Sequence, residues 1–155
     1  MRVHTLYASV SGNYGEVEAI GAAALFVPSG KIILLSGPVA PILGGRLTGT
    51  RLAAIVLALE SIPEGDTVTV FSPCTYVLAA VNQQIDRPEV NVAILRRLRD
   101  LIRTRPTLGR DPQDDPIALS YLHHTRALAE MARIHQNGEP IPPLEEPSRQ
   151  MDLFS

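Results

Sequence analysis

The sequence predicts an α/β fold in which a mixed five-stranded sheet carries helices on both faces. Three strand-like runs come first, at residues 2–9, 18–27 and 31–37. Apolar residues then recur at helical spacing over 47–62, and strands and helices alternate up to residue 136. Three antiparallel strands followed by alternating elements place helices on the faces of a mixed sheet. The predicted order is β-β-β-α-β-α-α-β-α.

Residue types justify each of the first three strands. The run "RVHTLYAS" is rich in β-branched and aromatic residues, which favour strands. "SGNYGE" follows as a turn. "PSG" at 28–30 then separates two apolar runs, so these runs form an antiparallel hairpin.

The next two elements are a helix and a strand. "LTGTRLAAIVLALESI" has helical periodicity, and Thr48 or Thr50 is the expected N-cap. "PEGD" ends this helix, and "TVTVFS" is a compact fourth strand.

The second half of the domain continues the alternation. Val92, Leu95, Leu98 and Ile102 share one face of an amphipathic helix. The elements expected there are a short helix at 74–84, the amphipathic helix at 91–105, a loop at 106–116, a fifth strand at 117–122 and a last helix at 124–136.

One domain and a tail account for the whole length. A chain of 155 residues suits a single core, which we place at 1–136. The periodic pattern stops at Asn137, and the prolines beyond it predict a flexible, extended linker. Residues 137–155 are therefore expected to form a tail.

Composition indicates a soluble cytoplasmic protein. Apolar residues make up 45%, charged residues 19%, and the net charge is −2, so the charge of the whole molecule favours neither nucleic acid nor a membrane as a partner. The single cysteine, Cys74, excludes an intrachain disulfide and fits a reducing compartment. No run resembles a signal peptide or is long enough to span a bilayer. The basic residues are nearly all arginine, and five of them lie between 96 and 105.

Five segments, in chain order, resemble those of bacterial type-1 ribonucleases H. They are "TLYASVSGNYG", "LTGTRLAAIVLALESI", "VTVFSPCTYVLAAVNQ", "NVAILRRLRDLI" and "ALAEMAR". The first is similar to the family's first strand and Gly-Asn-Pro-Gly turn, and the third to the strand that ends in Thr-Asp-Ser. The resemblance spans 1–136 and implies a ribonuclease H-like fold.

The residues that this family uses for catalysis are replaced. The family cleaves the RNA strand of an RNA–DNA hybrid with four carboxylates that hold two metal ions, because Mg²⁺ prefers oxygen ligands. Matched to the segments above, these carboxylates fall on Ser9, on Arg51 (or on its neighbours Thr50 or Leu52), on Pro73 and on Ala129, with Glu130 one residue away. An arginine in that cleft repels Mg²⁺. We therefore expect a protein that is not an enzyme and that holds no metal and no cofactor.

Other chemically capable residues offer weaker alternatives. His123 and His124 could act as an acid–base pair or as metal ligands. Alternatively, they lie at a junction between a strand and a helix, where one ring caps the helix and the other packs against the domain. We favour this second interpretation. Ser9 lacks an aspartate to complete a triad with either histidine. Cys74 is a reactive thiol at a helix start or, as we prefer, a small apolar residue. Acids near turns and helix ends, which do not converge in the predicted fold, are Glu16, Glu18, Glu60 and Asp66.

A binding role for the altered cleft stays open. Arg51 would supply a cation for a phosphate where the family places its metals. Arg96 and Arg97 belong to a second candidate surface, whose alternative is a solvated helix face. Polar residues retained near the cleft are Asn13, Thr48, Thr50 and Thr75. Such side chains hold nucleic acid through its backbone and 2′-hydroxyls, so an RNA–DNA hybrid or DNA is the candidate ligand.

The tail carries "QMDLF", which resembles the motif with which bacterial replication and repair proteins bind the DNA sliding clamp. The resemblance implies that Leu153 and Phe154 fill an apolar pocket and that Met151 fills a shallow neighbouring site. Gln150 would fix the register by hydrogen bonds, and Asp152 would stay at the surface. The alternative is a tail that folds back over an apolar groove of its own domain.

These observations together predict a non-catalytic accessory protein that the bacterial sliding clamp recruits during replication or repair. Its domain would present a surface, with the altered cleft as the candidate, to nucleic acid or to another protein. Two alternatives come from other classes. One is a divergent metal-dependent nuclease with relocated carboxylates, and the other is a pure protein-interaction scaffold.

Overall fold

The computed structural model describes residues 1–12, 19–39 and 45–145, and the elements in these ranges follow the predicted order. The strands are β1 (Val3–Ser11), β2 (Ala19–Val27), β3 (Ile32–Pro38), β4 (Thr67–Phe71) and β5 (Thr107–Arg110). The helices are α1 (Arg46–Glu60), α2 (Thr75–Val81), α3 (Val92–Thr104) and α4 (Pro116–His135). Of the helices in these ranges, none has the length and apolar character needed to cross a bilayer.

The five strands form one mixed sheet in the order β3-β2-β1-β4-β5. β2 is antiparallel to both β1 and β3, whereas β4 is parallel to β1 and β5 is parallel to β4. It follows that β3 runs in the same direction as β1 and β4. The carboxyl ends of β1, β3 and β4 therefore lie at one edge of the sheet, which we call the carboxyl edge.

Helices cover both faces of the sheet, as predicted. In β1, Leu6 and Ala8 belong to the main hydrophobic core, which also contains most of the buried apolar residues of α1 and the buried residues of α3. The alternate residue Tyr7 packs instead with Ala118 and Leu122 of α4. Because successive side chains of a strand point to opposite faces, α1 and α4 lie on opposite sides of the sheet.

The first helix begins earlier than the sequence suggested. Its N-cap is Gly45, which has a positive φ of 95° and makes no side-chain capping bond, and not Thr48 or Thr50. Thr50 instead donates its hydroxyl hydrogen bond to the Arg46 carbonyl one turn back, at 2.7 Å. A glycine adopts this backbone conformation without steric cost, so it can start the helix without a capping hydroxyl.

The predicted fifth strand at 117–122 is wrong, because these residues belong to α4. The helix begins at Pro116, and the Asp115 carboxylate caps it by accepting a hydrogen bond from the Ala118 N–H at 3.0 Å. Ala118 and Leu122 then share one buried helix face, which is the i, i+4 spacing of a helix. The actual fifth strand, β5, lies inside the predicted loop, and its half-exposed residues carry no apolar alternation.

Residues 137–145 form a C-terminal strap on the domain, where the sequence had suggested a flexible linker. The Glu139 N–H donates to the Leu34 carbonyl at 2.9 Å, and the Ser36 N–H donates to the Glu139 carbonyl at 3.0 Å. Leu144 is only 5% exposed and belongs to the main core. The chain is thus attached to the domain as far as Leu144.

Candidate functional site

A groove of about 230 Å³ opens at the carboxyl edge of the sheet, and we call it the basic groove. The described residues that line it are Ser9, Val10, Arg51, Pro73, Leu119, Leu122, His123 and Arg126. They come from β1, α1, α4 and the segment after β4. Three of the four positions at which the sequence predicts lost carboxylates, namely Ser9, Arg51 and Pro73, therefore meet in one place.

The strand register explains why two of these positions meet. Tyr7 of β1 is paired with Phe71 of β4 in the parallel ladder. Two residues further along each chain, Ser9 and Pro73 lie side by side at the carboxyl edge. Arg51 reaches the same groove from the second turn of α1.

The Ser9 hydroxyl ties β1 to α4. It lies 3.1 Å from the Leu122 carbonyl, to which it donates, and 2.6 Å from the Thr125 hydroxyl. Both Ser9 and Thr125 are buried, at 6% and 0% exposure. This side chain therefore holds the wall of the basic groove in place, whereas Arg126 is exposed on that wall.

The last predicted site position, Ala129, lies away from the basic groove. It is fully buried against β2, where a Cβ added to Gly21 would lie 2.1 Å from the Ala129 carbonyl oxygen. The α4 side chains that reach the groove lie earlier in the helix and include His123 and Arg126. The sequence resemblance did not fix which α4 residues face the groove. It assumed a helix that starts at 124, whereas α4 begins eight residues earlier.

The two histidines do not lie at a strand-to-helix junction, as the sequence suggested. His123 and His124 are both exposed in the middle of α4, and His123 lines the basic groove. Arg126 is the site residue that the sequence did not reveal. The spacing along the sequence could have revealed it. Arg126 follows His123 by three residues and therefore lies on the same face of the helix.

The charge of the basic groove does not fit a pair of metal ions. Its described lining holds two guanidinium groups and one imidazole, and contains no carboxylate. Mg²⁺ requires oxygen ligands and is repelled by guanidinium. Across the described ranges, no three or more His, Cys, Asp or Glu side chains are grouped as metal ligands would be.

The carboxylate of Glu130 lies near the end of β1 but serves the fold. It accepts hydrogen bonds from the Ser11 hydroxyl and from Arg133, one turn further along α4. The hydrogen bonds from Arg133 and then from Ser11 lower the pKa of Glu130 to about 2. This group is therefore an ionised tie between β1 and α4.

A second basic site, which we call the arginine pocket, lies between the end of α2 and α3. Its volume is about 340 Å³, and its charged lining residues are Asp86, Arg87, Arg96 and Arg99. The candidate Arg96 lies here. Arg97 instead directs its Nε to the Glu60 carboxylate on α1, at 3.0 Å. The two neighbouring candidates therefore have different surroundings.

The polar candidates around the cleft differ in accessibility. Thr75 is exposed at the start of α2, and Thr48 is half-buried in the first turn of α1. Thr50 is fully buried, so its hydroxyl is inaccessible to a ligand in this structure. Asn13 and the motif residues 150–154 lie outside the described residues.

The other acids and the cysteine occupy structural positions. Asp66 lies 2.9 Å from the His4 ring, and the hydrogen bond from this side chain lowers the pKa of the carboxyl. Glu60 faces Arg97 at the end of α1. Cys74 is the N-cap of α2 and packs partly against the main core. Glu16 and Glu18 lie outside the described residues.

Comparison with known proteins identifies the fold. No family model matches the sequence, and no curated protein matches it. The chain is similar in structure to LC9-RNase H1, described as a type 1 RNase H with the type 2 active-site motif, with a TM-score of 0.58. The match covers 88% of this chain and 74% of that chain at 18% identity. The chain therefore has an RNase H-like fold.

Proposed function

We propose that the chain is a non-catalytic, RNase H-like accessory protein of bacterial replication or repair, recruited by the sliding clamp and able to contact nucleic acid. The chemistry of the basic groove carries the proposal. Ser9, Arg51 and Pro73, at which the sequence resemblance predicts lost carboxylates, lie there together, and His123 and Arg126 flank them. The RNase H-like fold supports a function related to nucleic acid.

The charge of the groove argues against hydrolysis by the family's chemistry. Two-metal cleavage needs several carboxylates to hold the ions and to offset their charge. Two unit charges 4 Å apart interact by about 4 kcal/mol at the effective dielectric of a protein surface, and a divalent ion doubles this. A groove that contains Arg51 and Arg126 therefore opposes the binding of Mg²⁺.

The same charges favour a phosphodiester backbone. Arg126 is exposed on the groove wall, and its fork of N–H donors matches phosphate oxygens. Leu119 and Leu122 add an apolar surface against which a sugar can pack. Contacts of this kind carry little sequence information and weaken as salt rises. The arginine pocket offers a second phosphate contact.

The tail supplies the recruitment. In residues 150–154, Leu153 and Phe154 are the apolar anchors, and Met151 fills a shallower site. Gln150 fixes the register by hydrogen bonds. A short linear segment must be ordered when it binds, so its affinity is modest unless a second contact assists it.

One observation favours a second candidate function, that of a protein-interaction scaffold. Ile117, Met131 and Ile134 of α4 are 69%, 51% and 56% exposed. Large apolar side chains on one exposed helix are a feature of protein interfaces. A scaffold of this kind would bind the clamp and would not bind nucleic acid.

A binding titration combined with a cleavage assay tests the role of the groove. Labelled RNA–DNA hybrid, duplex DNA and single strands are titrated by fluorescence anisotropy at two salt concentrations, and the hybrid is incubated with Mg²⁺ or Mn²⁺. We expect salt-sensitive binding at micromolar protein and no cleavage. Arg126→Glu should weaken binding roughly tenfold, because it replaces an attraction to phosphate with a repulsion.

A matched charge reversal provides the control. Lys31 is exposed beside the β2–β3 turn, at the opposite edge of the sheet from the basic groove. Lys31→Glu changes the net charge equally and should leave affinity nearly unchanged. Metal-dependent cleavage of the hybrid would instead identify a divergent nuclease. If no salt-sensitive binding occurred at micromolar protein, the scaffold would be favoured.

A further inference from the structure

Helix α4 carries two rows of residues with the same spacing on opposite faces. The inward row packs on the sheet, and its buried residues are Ala118, Leu122, Thr125, Ala129 and Ala132. The second row, which we call the outer seam, is Ile117, Ser120, His124, Ala127, Met131 and Ile134. In both rows the steps alternate between three and four residues. Because each residue turns a helix by about 100°, the outer seam points away from the sheet.

The outer seam is open along its whole length. All six of its residues are exposed, and Ile117, Met131 and Ile134 each expose more than half of their surface. Within residues 1–12, 19–39 and 45–145, therefore, nothing covers this row. The domain leaves a continuous strip of helix available to a partner.

The outer seam also carries no formal charge. The charged residues of α4, Arg126, Glu130 and Arg133, all lie outside it. The shorter helix α3, by contrast, exposes Arg96 and Arg99. Solvated helix faces are normally polar and charged, whereas the centres of protein interfaces are depleted of charge and enriched in Met. The composition of the outer seam is therefore that of an interface.

The spacing of the outer seam reads the same in both directions along the helix. Two copies of α4 can therefore pack antiparallel about a twofold axis between residues 125 and 126, with every seam residue facing another. The facing pairs are Ile117 with Ile134, Ser120 with Met131, and His124 with Ala127. Each inner pair sets a small side chain against a larger one, and each outer pair joins two isoleucines. Rows with this alternation form the seams of coiled coils.

A parallel arrangement of the two helices fits less well. It would set Met131 against Met131 and Ala127 against Ala127, so that the first pair is crowded and the second leaves a gap. The antiparallel arrangement also gives complementary flanks, because Glu130 of each copy lies within one helical turn of His123 of the other. Shape and charge therefore favour the same orientation.

We infer that the protein is a reversible homodimer in which α4 of one copy packs antiparallel on α4 of the other through the outer seam. A second copy is the partner because the row is complementary to itself, which is the condition for a twofold-symmetric interface. The inference goes beyond the proposed function and does not depend on it.

Pairing through the outer seam leaves the basic groove open. Leu119 and Arg126, which line the groove, lie about a third of a turn around α4 from the seam. His123 lies between the groove and the seam. Ser9 and Arg51 reach the groove from β1 and α1. The dimer therefore keeps both of its grooves accessible, whichever ligand they bind.

The small size of the contact makes the dimer reversible. From Ile117 to Ile134 the outer seam is about 26 Å long. One helix packed against one helix lies at the low end of specific interfaces, where association is weak and transient. We therefore expect a dissociation constant in the micromolar range.

Sedimentation velocity of the full chain measures this self-association. The monomer has a mass of 16.8 kDa. Concentrations from about 1 µM to about 200 µM bracket a micromolar dissociation constant, and across them we expect the mean mass to rise towards twice the monomer value. Because the sample contains neither clamp nor nucleic acid, failure of this inference and failure of the proposed function are separate results.

Two charge variants test the register. Ile117→Glu and Ile134→Lys each place a charge in both end layers of the dimer, so each should weaken self-association about tenfold or more. Each charge suits its end of the helix dipole, so both variants should fold like the wild type, as circular dichroism can check. In an equimolar mixture, the heterodimer keeps one layer of two isoleucines and joins opposite charges in the other. The mixture should therefore associate at least about fivefold more tightly than either variant alone.

Leu108→Glu provides the matched control. Leu108 of β5 is 50% exposed, close to the 56% of Ile134, and lies outside the outer seam. Its replacement should leave the dissociation constant unchanged. An equal loss of affinity in this variant would show nonspecific association and would contradict the inference.

Three further results would overturn the inference. A mean mass that stayed at 16.8 kDa up to about 200 µM would show that a second copy does not occupy the outer seam. A dimer that neither seam variant weakened would have its interface elsewhere. If both variants weakened the dimer but their mixture stayed as weak as either alone, the helices would not be antiparallel in this register.

Discussion

Truncation of Leu144 tests whether the strap belongs to the folded domain. This side chain is 5% exposed and packs in the main core. Leu→Ala at a buried site costs about 2–5 kcal/mol, through lost transfer energy and the cavity left behind. The strap lies near the end of the fold and can partly collapse, so we expect Leu144→Ala to lower the free energy of unfolding by about 2–3 kcal/mol. For a chain of this size, that lowers Tm by roughly 5–10 °C.

The assay is equilibrium unfolding in guanidinium chloride, followed by far-UV circular dichroism, with Leu108→Ala as the matched control. Leu108 is 50% exposed on β5, so the same truncation there should cost well under 1 kcal/mol. If both variants unfolded at the same denaturant concentration, the strap would not be part of the fold.

Three further predictions concern the packing of the strap and of α4. Gly138→Ala should destabilise the protein by about 1–3 kcal/mol, because its Cβ would clash with the Leu35 backbone 2.4 Å away; an unchanged Tm would contradict the close fit. Gly21→Ala should lower the free energy of unfolding at least as much, because its Cβ would lie 2.1 Å from the Ala129 carbonyl oxygen and α4 would have to move. Thermal denaturation measures this loss, and a decrease in Tm of less than 1 °C would refute the contact. Glu130 has a pKa of about 2 in the folded protein, below its ordinary 4.5, so its stabilisation is present above pH 4.5 and is lost as pH falls towards 2. Since this side chain is 42% exposed, its ionised form stabilises the fold by under about 1 kcal/mol. The difference in Tm between the wild type and Glu130→Gln should therefore close between pH 5 and pH 2.5. A difference in Tm that stayed constant over this range would contradict the lowered pKa.

Local sequence patterns were sufficient for most of the fold. The three antiparallel strands, α1 and β4 combine strong propensity with clear turns, so their types could be predicted. The predicted strand at 117–122 failed because a six-residue apolar run fits a strand or a helix equally. The Asp115-Pro116 pair, a helix cap followed by the residue favoured at the first helical position, was the signal that decided it.

The residues of the basic groove were predicted only in part. Ser9 and Pro73 could be placed together because the sequence resemblance assigns both to one cleft, and the parallel pairing of β1 with β4 brings them to one groove. Arg126 and the strap could not be predicted, because their positions depend on tertiary packing. The pairing of Glu139 with β3 uses backbone groups alone, which leave no pattern in the side chains.

Recruitment by the sliding clamp is the central claim, and a direct binding measurement tests it. Purified bacterial clamp is titrated with the full chain and with the double variant Leu153→Ala/Phe154→Ala, with Ser155→Ala as a control outside the motif. Loss of two apolar anchors at about 2 kcal/mol each should weaken binding by roughly several hundredfold, and the control should bind like the wild type. If the double variant bound the clamp as tightly as the wild type, residues 150–154 would not be a clamp-binding motif.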